Sequence, residues 1–249
     1  MAKRVLTLFA HPDDAETMAG GALVKWARAG HVITICLITE GEKGTSDPRD
    51  TREAVIARRA EEQGRAAARL GAEVIRLGYE DGVLQPTIGL RRDLVRVMRR
   101  VRPDIVVAND PTVWFRHGVY INHPDHRAAG QAAVEALYPA VRKASFFPEL
   151  LTEGLSPHVV PEVWLGATDS PDLFLDISDV FDEKIALICK HASQFPPEPT
   201  RRAFARIAHE AGEPRGLACA ETFRVLKLSS NTIRAIAASG AESDVPSRA

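Results

Sequence analysis

Val5-Leu6-Thr7-Leu8-Phe9-Ala10 runs straight into His11-Pro12-Asp13-Asp14-Ala15-Glu16. The first six residues form a strand-like, continuous apolar run, the signature of a strand buried on both faces of a parallel sheet. The pattern recurs at Val32 to Ile38 and Ile105 to Ala108, and Val74 to Leu77 reads as a further short strand. Helical spacing fills the intervals at Thr17 to Ala29, Thr51 to Leu70 and Leu90 to Val101. Gly71 closes the second of these as a C-cap, and Pro103 stops the third. Pro124 to Val141 reads as another helix, opened by proline near its first position. This alternation predicts an α/β fold: a Rossmann-like, mostly parallel sheet with helices on both faces. Ligands of such sheets bind outside the carboxyl ends of the strands. The His-Pro-Asp-Asp turn after the first strand and His123-Pro124-Asp125-His126 after the fourth both fall there.

The second half is less regular. Leu155 to Pro161 reads as a loop, with short strands at Val163 to Ala167 and Leu173 to Ile177. Asp179 to His191 has helical spacing. Pro196, Pro197 and Pro199 mark a loop before a helix at about Arg201–Ala211, and Glu221 to Leu228 reads as a last strand. Residues 1–228 are expected to form a single domain, and residues 229–249 a partly mobile tail rich in Ser and Ala.

With 249 residues, a net charge of −1 and 45% apolar residues, the chain has no electrostatic footprint of a nucleic-acid or membrane-surface binder. The three cysteines, Cys36, Cys189 and Cys219, are far apart and match neither a disulfide framework nor a thiolate zinc site. No secretory leader and no long apolar span is evident, so a cytoplasmic protein without membrane insertion is expected.

Catalytic zinc takes three protein ligands from His, Asp, Glu or Cys and keeps a position for water. His11, Asp14 and His126 form such a set. His11 and Asp14 are three apart at a strand-to-helix junction; His123 and His126 are three apart on the first turn of a helix. The side chain of Asp13 diverges from that of its neighbour Asp14, which suits it to hold the attacking water as general base. His123 stands beside the metal as a stabiliser of the developing oxyanion, and Asp125 can orient one of the histidines from behind. Each acid or proline alone also fits an ordinary helix start; two such motifs at equivalent sheet-edge places do not. A dinucleotide cofactor is excluded, because the first turn has no Gly-x-Gly-x-x-Gly and places acids where a pyrophosphate needs amides.

These residues resemble the PIG-L / LmbE-like zinc N-deacetylases, whose pattern is His-Pro-Asp-Asp followed closely by Glu, then His-Pro-Asp-His. Thr39 to Gly44, Arg59-Ala60-Glu61-Glu62, Asp81-Gly82, Arg102-Pro103-Asp104, His191 to Gln194 and Ala220 to Arg224 extend the resemblance over nearly the whole chain. It implies one Zn2+ on His11, Asp14 and His126, with Fe, Mn or Co as substitutes, Asp13 as base, and His123 with Asp125 behind it at the intermediate. It also implies that Arg59 contacts substrate and that Asp81 binds sugar hydroxyls. The expected activity is removal of an N-acyl group, acetyl foremost, from an amino-sugar derivative such as an N-acetylglucosaminyl conjugate. Alternatives are an amidase for a larger thiol-sugar conjugate or antibiotic intermediate, and a metal- or sugar-binding protein without turnover.

Some relatives place a tyrosine two residues before the second His motif. Here that position is Ile121, so tyrosine help to the oxyanion would come from the neighbouring Tyr120 through a shifted loop. The loop Trp114 to Tyr120 is aromatic and basic. It reads as a wall that stacks on a sugar, a self-packed loop, or a contact in a homo-oligomer.

Overall fold

In the computed structural model, which describes residues 1–116 and 120–228, the alternation holds through the first half. β1 (Arg4–Phe9), α1 (Asp14–Arg28), β2 (Val32–Thr39), α2 (Arg52–Leu70), β3 (Glu73–Tyr79), α3 (Ile88–Val101) and β4 (Ile105–Asn109) follow in strict order. A hairpin of β5 (Phe115–Arg116) and β6 (Tyr120–Ile121) precedes α4 (Pro124–Leu137). Then come the one-turn helix α5 (Glu149–Thr152), β7 (Glu162–Gly166), β8 (Leu173–Asp176), α6 (Phe181–Ile188), α7 (Pro197–Gly212) and β9 (Ala220–Lys227). His117, within the aromatic loop, and the tail 229–249 lie outside the described residues.

Seven strands form one sheet in the order β3-β2-β1-β4-β7-β9-β8. β3 to β7 are parallel in this order, and β9 runs antiparallel between β7 and β8. Successive side chains of a strand point to opposite faces. Leu6 and Leu8 therefore join the cluster under α3 and α4, while Val5 and Phe9 join the cluster under α1, α2, α6 and α7. β1 pairs with β2 on one side and β4 on the other, so the chain order reverses at this point. The crevice beyond the carboxyl ends of β1 and β4 is the switch point at which such sheets bind ligands.

Several boundaries differ from expectation for local reasons. α1 starts at Asp14, three residues before the apolar spacing begins, because its first turn carries acids. α2 keeps its expected end: Gly71 takes the left-handed conformation at φ 61, and Thr51 Oγ1 accepts from Ala54 N at 3.2 Å. α4 stops at Leu137, before the extended Tyr138 and Pro139. α7 begins at Pro197, inside the stretch expected to be a loop. Prolines at 197 and 199 lie in its first turn, where no helical hydrogen bond needs their missing N–H.

α1 is kinked at Ala19 (φ −136, ψ 17). The amides of Gly21 and Ala22 beyond the kink donate to the carboxylate of Glu221 on β9, at 2.7 and 2.8 Å. Buried Lys184 on α6 donates to the same carboxylate at 2.7 Å and to Thr17 O at 2.9 Å. Gly21 has no room for a side chain, since a Cβ would stand 2.5 Å from Ile177 Cγ2. At Gly130 a Cβ would stand 2.5 Å from the carbonyl oxygen of Asn109, so α4 rests directly on the end of β4. Among the described residues all three cysteines are free, and no helix is long and apolar enough to cross a membrane.

Candidate metal centre

The strand-to-helix corner after β1 is built on an unusual backbone. Asp13 has φ 95 and ψ −24, a left-handed conformation that costs a non-glycine residue about 1–3 kcal/mol. The corner turns Asp14 back toward His11, whose amide donates to Asp14 Oδ2 at 2.9 Å. From across the crevice, α4 presents His123 as N-cap, Pro124 in the first turn and His126 just beyond it.

The side chains of three residues converge. His11 Nδ1 lies 3.4 Å from Asp14 Oδ2 and 3.2 Å from His126 Nε2, and His126 Nε2 lies 3.0 Å from Asp14 Oδ1. A tetrahedral ion with bonds of about 2.0–2.1 Å needs its ligands roughly 3.3–3.4 Å apart. The set fits a small divalent cation with little movement, and its two imidazoles and one carboxylate are the donors such an ion takes.

The electrostatics favour a cation here. Burial opposes charge on His11, but the carboxylates of Asp125, Asp14 and Asp81 outweigh it and lift the ring to about 12. Burial likewise opposes charge on Asp14, yet His126 and His11 hold its carboxyl well below the usual range. In the metal-free protein a proton thus holds the place of positive charge. Because a ligating imidazole must be neutral, zinc binding at pH 7 should release about one proton from His11. Calorimetry in buffers of different ionisation enthalpy measures this; an enthalpy independent of buffer would contradict the charge assignment.

Behind His11, Asp81 Oδ1 stands 3.0 Å and Asp125 Oδ2 3.4 Å from Nε2, close enough to fix the ring by charge. Asp125 is fully buried and also accepts from Gly82 N at 2.6 Å and Leu84 N at 3.1 Å, which ties α4 to the β3–α3 loop. Gly82 sits at φ 76, a conformation that favours glycine. Asp125 therefore sits behind His11, not behind His123. Asp81, expected on the sugar, is buried, and its second oxygen accepts from Lys43 N at 3.0 Å. Its oxygens are committed to His11 and the backbone, and those partners hold its carboxyl down at about 2 against burial.

Arg59 is also redirected. It was expected to touch substrate, but it is only 4% exposed. Its guanidinium donates to Asp13 Oδ2 at 2.6 Å, Pro12 O at 2.6 Å and Gly41 O at 2.8 Å. Burial and the charge of Asp14 push Asp13 up to about 7, against the pull of Arg59. His123 Nδ1 accepts from Asp125 N at 3.2 Å, so its neutral ring carries the proton on Nε2. Burial, then the neighbouring His11 and His126, lower its pKa and favour that neutral form. Tyr120, half exposed, lines the cleft with Asp13, Asp14 and His126.

Sequence reasoning missed the support of this corner. Gln63 accepts from Asp13 N at 3.2 Å and donates to Glu16 Oε1 at 2.8 Å, while His191 stands 3.3 Å from Glu16 Oε2. Glu62 accepts from Ser193 N and Oγ at 2.8 and 2.7 Å. The signal lay in α2: Val55, Arg59, Glu62, Gln63, Ala66, Ala67 and Leu70 share its buried stripe. Three of the seven are polar where a core-facing helix is apolar.

The PIG-L family model, described as GlcNAc-PI de-N-acetylase, matches residues 6–137. The chain is 37% identical over 197 residues to the diacetylchitobiose deacetylase of Thermococcus kodakarensis, covering 79% of this chain and 72% of the relative. It resembles the solved N,N'-diacetylchitobiose deacetylase of Pyrococcus horikoshii with a TM-score of 0.83 and 31% identity, over 91% of this chain and 84% of that one. It also resembles GalB, the 4-carboxy-2-hydroxymuconate hydratase of Pseudomonas putida, with a TM-score of 0.72 and 26% identity over 91% and 97%. The fold thus hosts more than one reaction, and activity must be argued from the site. The matched segment spans both histidine motifs and the crevice between them, and the chain belongs to the PIG-L family.

Proposed function

We propose that the chain is a zinc-dependent N-deacetylase that hydrolyses the acetamide of a small amino-sugar derivative in the cytoplasm. The observation that carries this reading is the convergence of His11 Nδ1, Asp14 and His126 Nε2 beside the Asp13 carboxylate. Those three residues would hold the ion, and iron, manganese or cobalt would satisfy the same donors. When bound, the ion supplies Lewis acidity to the amide carbonyl and lowers the pKa of water.

The chain's own groups do the rest. Arg59 fixes Asp13 through Oδ2, which leaves Oδ1 to take a proton from the attacking water. The His123 Nε2–H donates to the oxyanion that forms as the water adds to the carbonyl carbon. Asp13 then returns its proton to the nitrogen, the C–N bond breaks, and acetate and a free amine result. Asp81 and Asp125 hold His11 in place throughout.

The test is acetate and amine release by zinc-loaded protein from N-acetylglucosamine, diacetylchitobiose and simple N-acetylglucosaminides. Release from any of them supports the reading. No release across the set, with zinc bound, would overturn deacetylation of a small amino sugar.

A further inference from the structure

The cleft that holds Asp13, Asp14 and His126 does not end at them. It continues along α7 as a cavity of about 340 Å³. Phe204, Ile207, Ala208 and Ala211 line it from one face of that helix, at steps of three and four residues. Phe195 meets Phe204 edge to face, with ring centroids 6.2 Å apart, and Met18 and Tyr120 complete the apolar lining. Ile207 is 51% exposed although it lies on this face. An isolated exposed isoleucine needs no explanation, but this one belongs to an apolar wall continuous with the candidate chemistry. Lys184 is the one lysine or arginine among the described lining residues, and Glu221 matches its charge at 2.7 Å. The α7 wall itself, Phe204, Ile207, Ala208 and Ala211, carries no charge and no hydrogen-bonding side chain, so it offers no partner to a phosphate or a carboxylate.

We propose that this extension is a subsite for an uncharged apolar group, alkyl or aryl, carried by the substrate. The inference rests on the amino-sugar reading for the polar part of that substrate alone. The apolar group has two sources: the aglycone on the anomeric oxygen, or an acyl chain longer than acetyl. Each methylene buried from water strengthens binding about fourfold, so two buried methylenes already give more than about tenfold.

The experiment measures binding, not turnover, on zinc-loaded Asp13→Asn protein by calorimetry. The probes are methyl N-acetyl-β-glucosaminide, its hexyl counterpart, and methyl β-glucosaminide carrying an N-hexanoyl group. One of the two six-carbon compounds should bind at least about tenfold more tightly than the methyl N-acetyl reference. Which one does so identifies the source of the apolar group. The advantage should vanish when Ile207→Asp, which puts a charge in the wall, or Ala211→Trp, which fills it, is added. Zinc content and the melting transition confirm that each variant is folded. Equal binding of all three probes overturns the proposal, as does an advantage that survives both cleft variants. Acetate release by the unsubstituted protein from the methyl N-acetyl compound is scored separately. Its absence, with the binding advantage present, would sink the deacetylase reading and leave the subsite standing.

Discussion

Replacing Asp13 by asparagine should lower turnover of an N-acetylated amino sugar about a thousandfold and leave zinc content unchanged. A positioned general base contributes about 10²–10⁴ in rate. The substitution is chosen so that only the base is lost. The Asn side-chain oxygen still accepts from Arg59, as Asp13 Oδ2 does at 2.6 Å, and Asn tolerates the left-handed backbone at this corner. Amine release under saturating substrate and metal analysis of the same preparation decide the matter. A loss smaller than about tenfold would move the proton transfer to another group. Loss of zinc together with activity would make Asp13 a ligand.

Glu221→Ala should destabilise the fold by about 3–5 kcal/mol, because it strands a buried ammonium ion. Lys184 and Glu221 are both buried, 5% and 4% exposed. The same substitution orphans the amides of Gly21 and Ala22 at the kink of α1. Adding Lys184→Met should recover part of the loss, since an apolar pair costs less than an unpaired charge. Urea unfolding of both variants checks this; a double variant no more stable than the single one would refute the charge account. The kink stands directly behind the turn that carries Asp14, so loosening it should also weaken zinc binding.

The parallel half of the fold was legible because β1, β2 and β4 are apolar runs and β3 a short strand-like stretch, all separated by helical spacing, an alternation that marks the α/β class. The insertion of β9 antiparallel between β7 and β8 was not legible. A strand's pairing partner depends on long-range packing, and its own sequence fixes only its existence. The hairpin of β5 and β6 was hidden by its length of two residues per strand. At the site, the three candidate ligands were readable because their residue types and spacing carry chemistry directly. Their supports were less so. Arg59 was expected on substrate, and its bond to Asp13, 46 residues away, forms only when the fold brings the two together. Asp81 was expected on sugar hydroxyls, and only the course of the β3–α3 loop lays it on His11.

Gly130 gives the metal centre a dependence that no list of ligands contains. It lies one helical turn after His126, on the face of α4 that meets the carbonyl of Asn109. Any side chain there would begin 2.5 Å from that oxygen, and such contacts do not persist below 3.0 Å. The helix would have to lift by at least the difference, about half an ångström, and would carry His126 with it. A side chain at position 130 is thus expected to disturb a candidate metal ligand that the residue itself never touches.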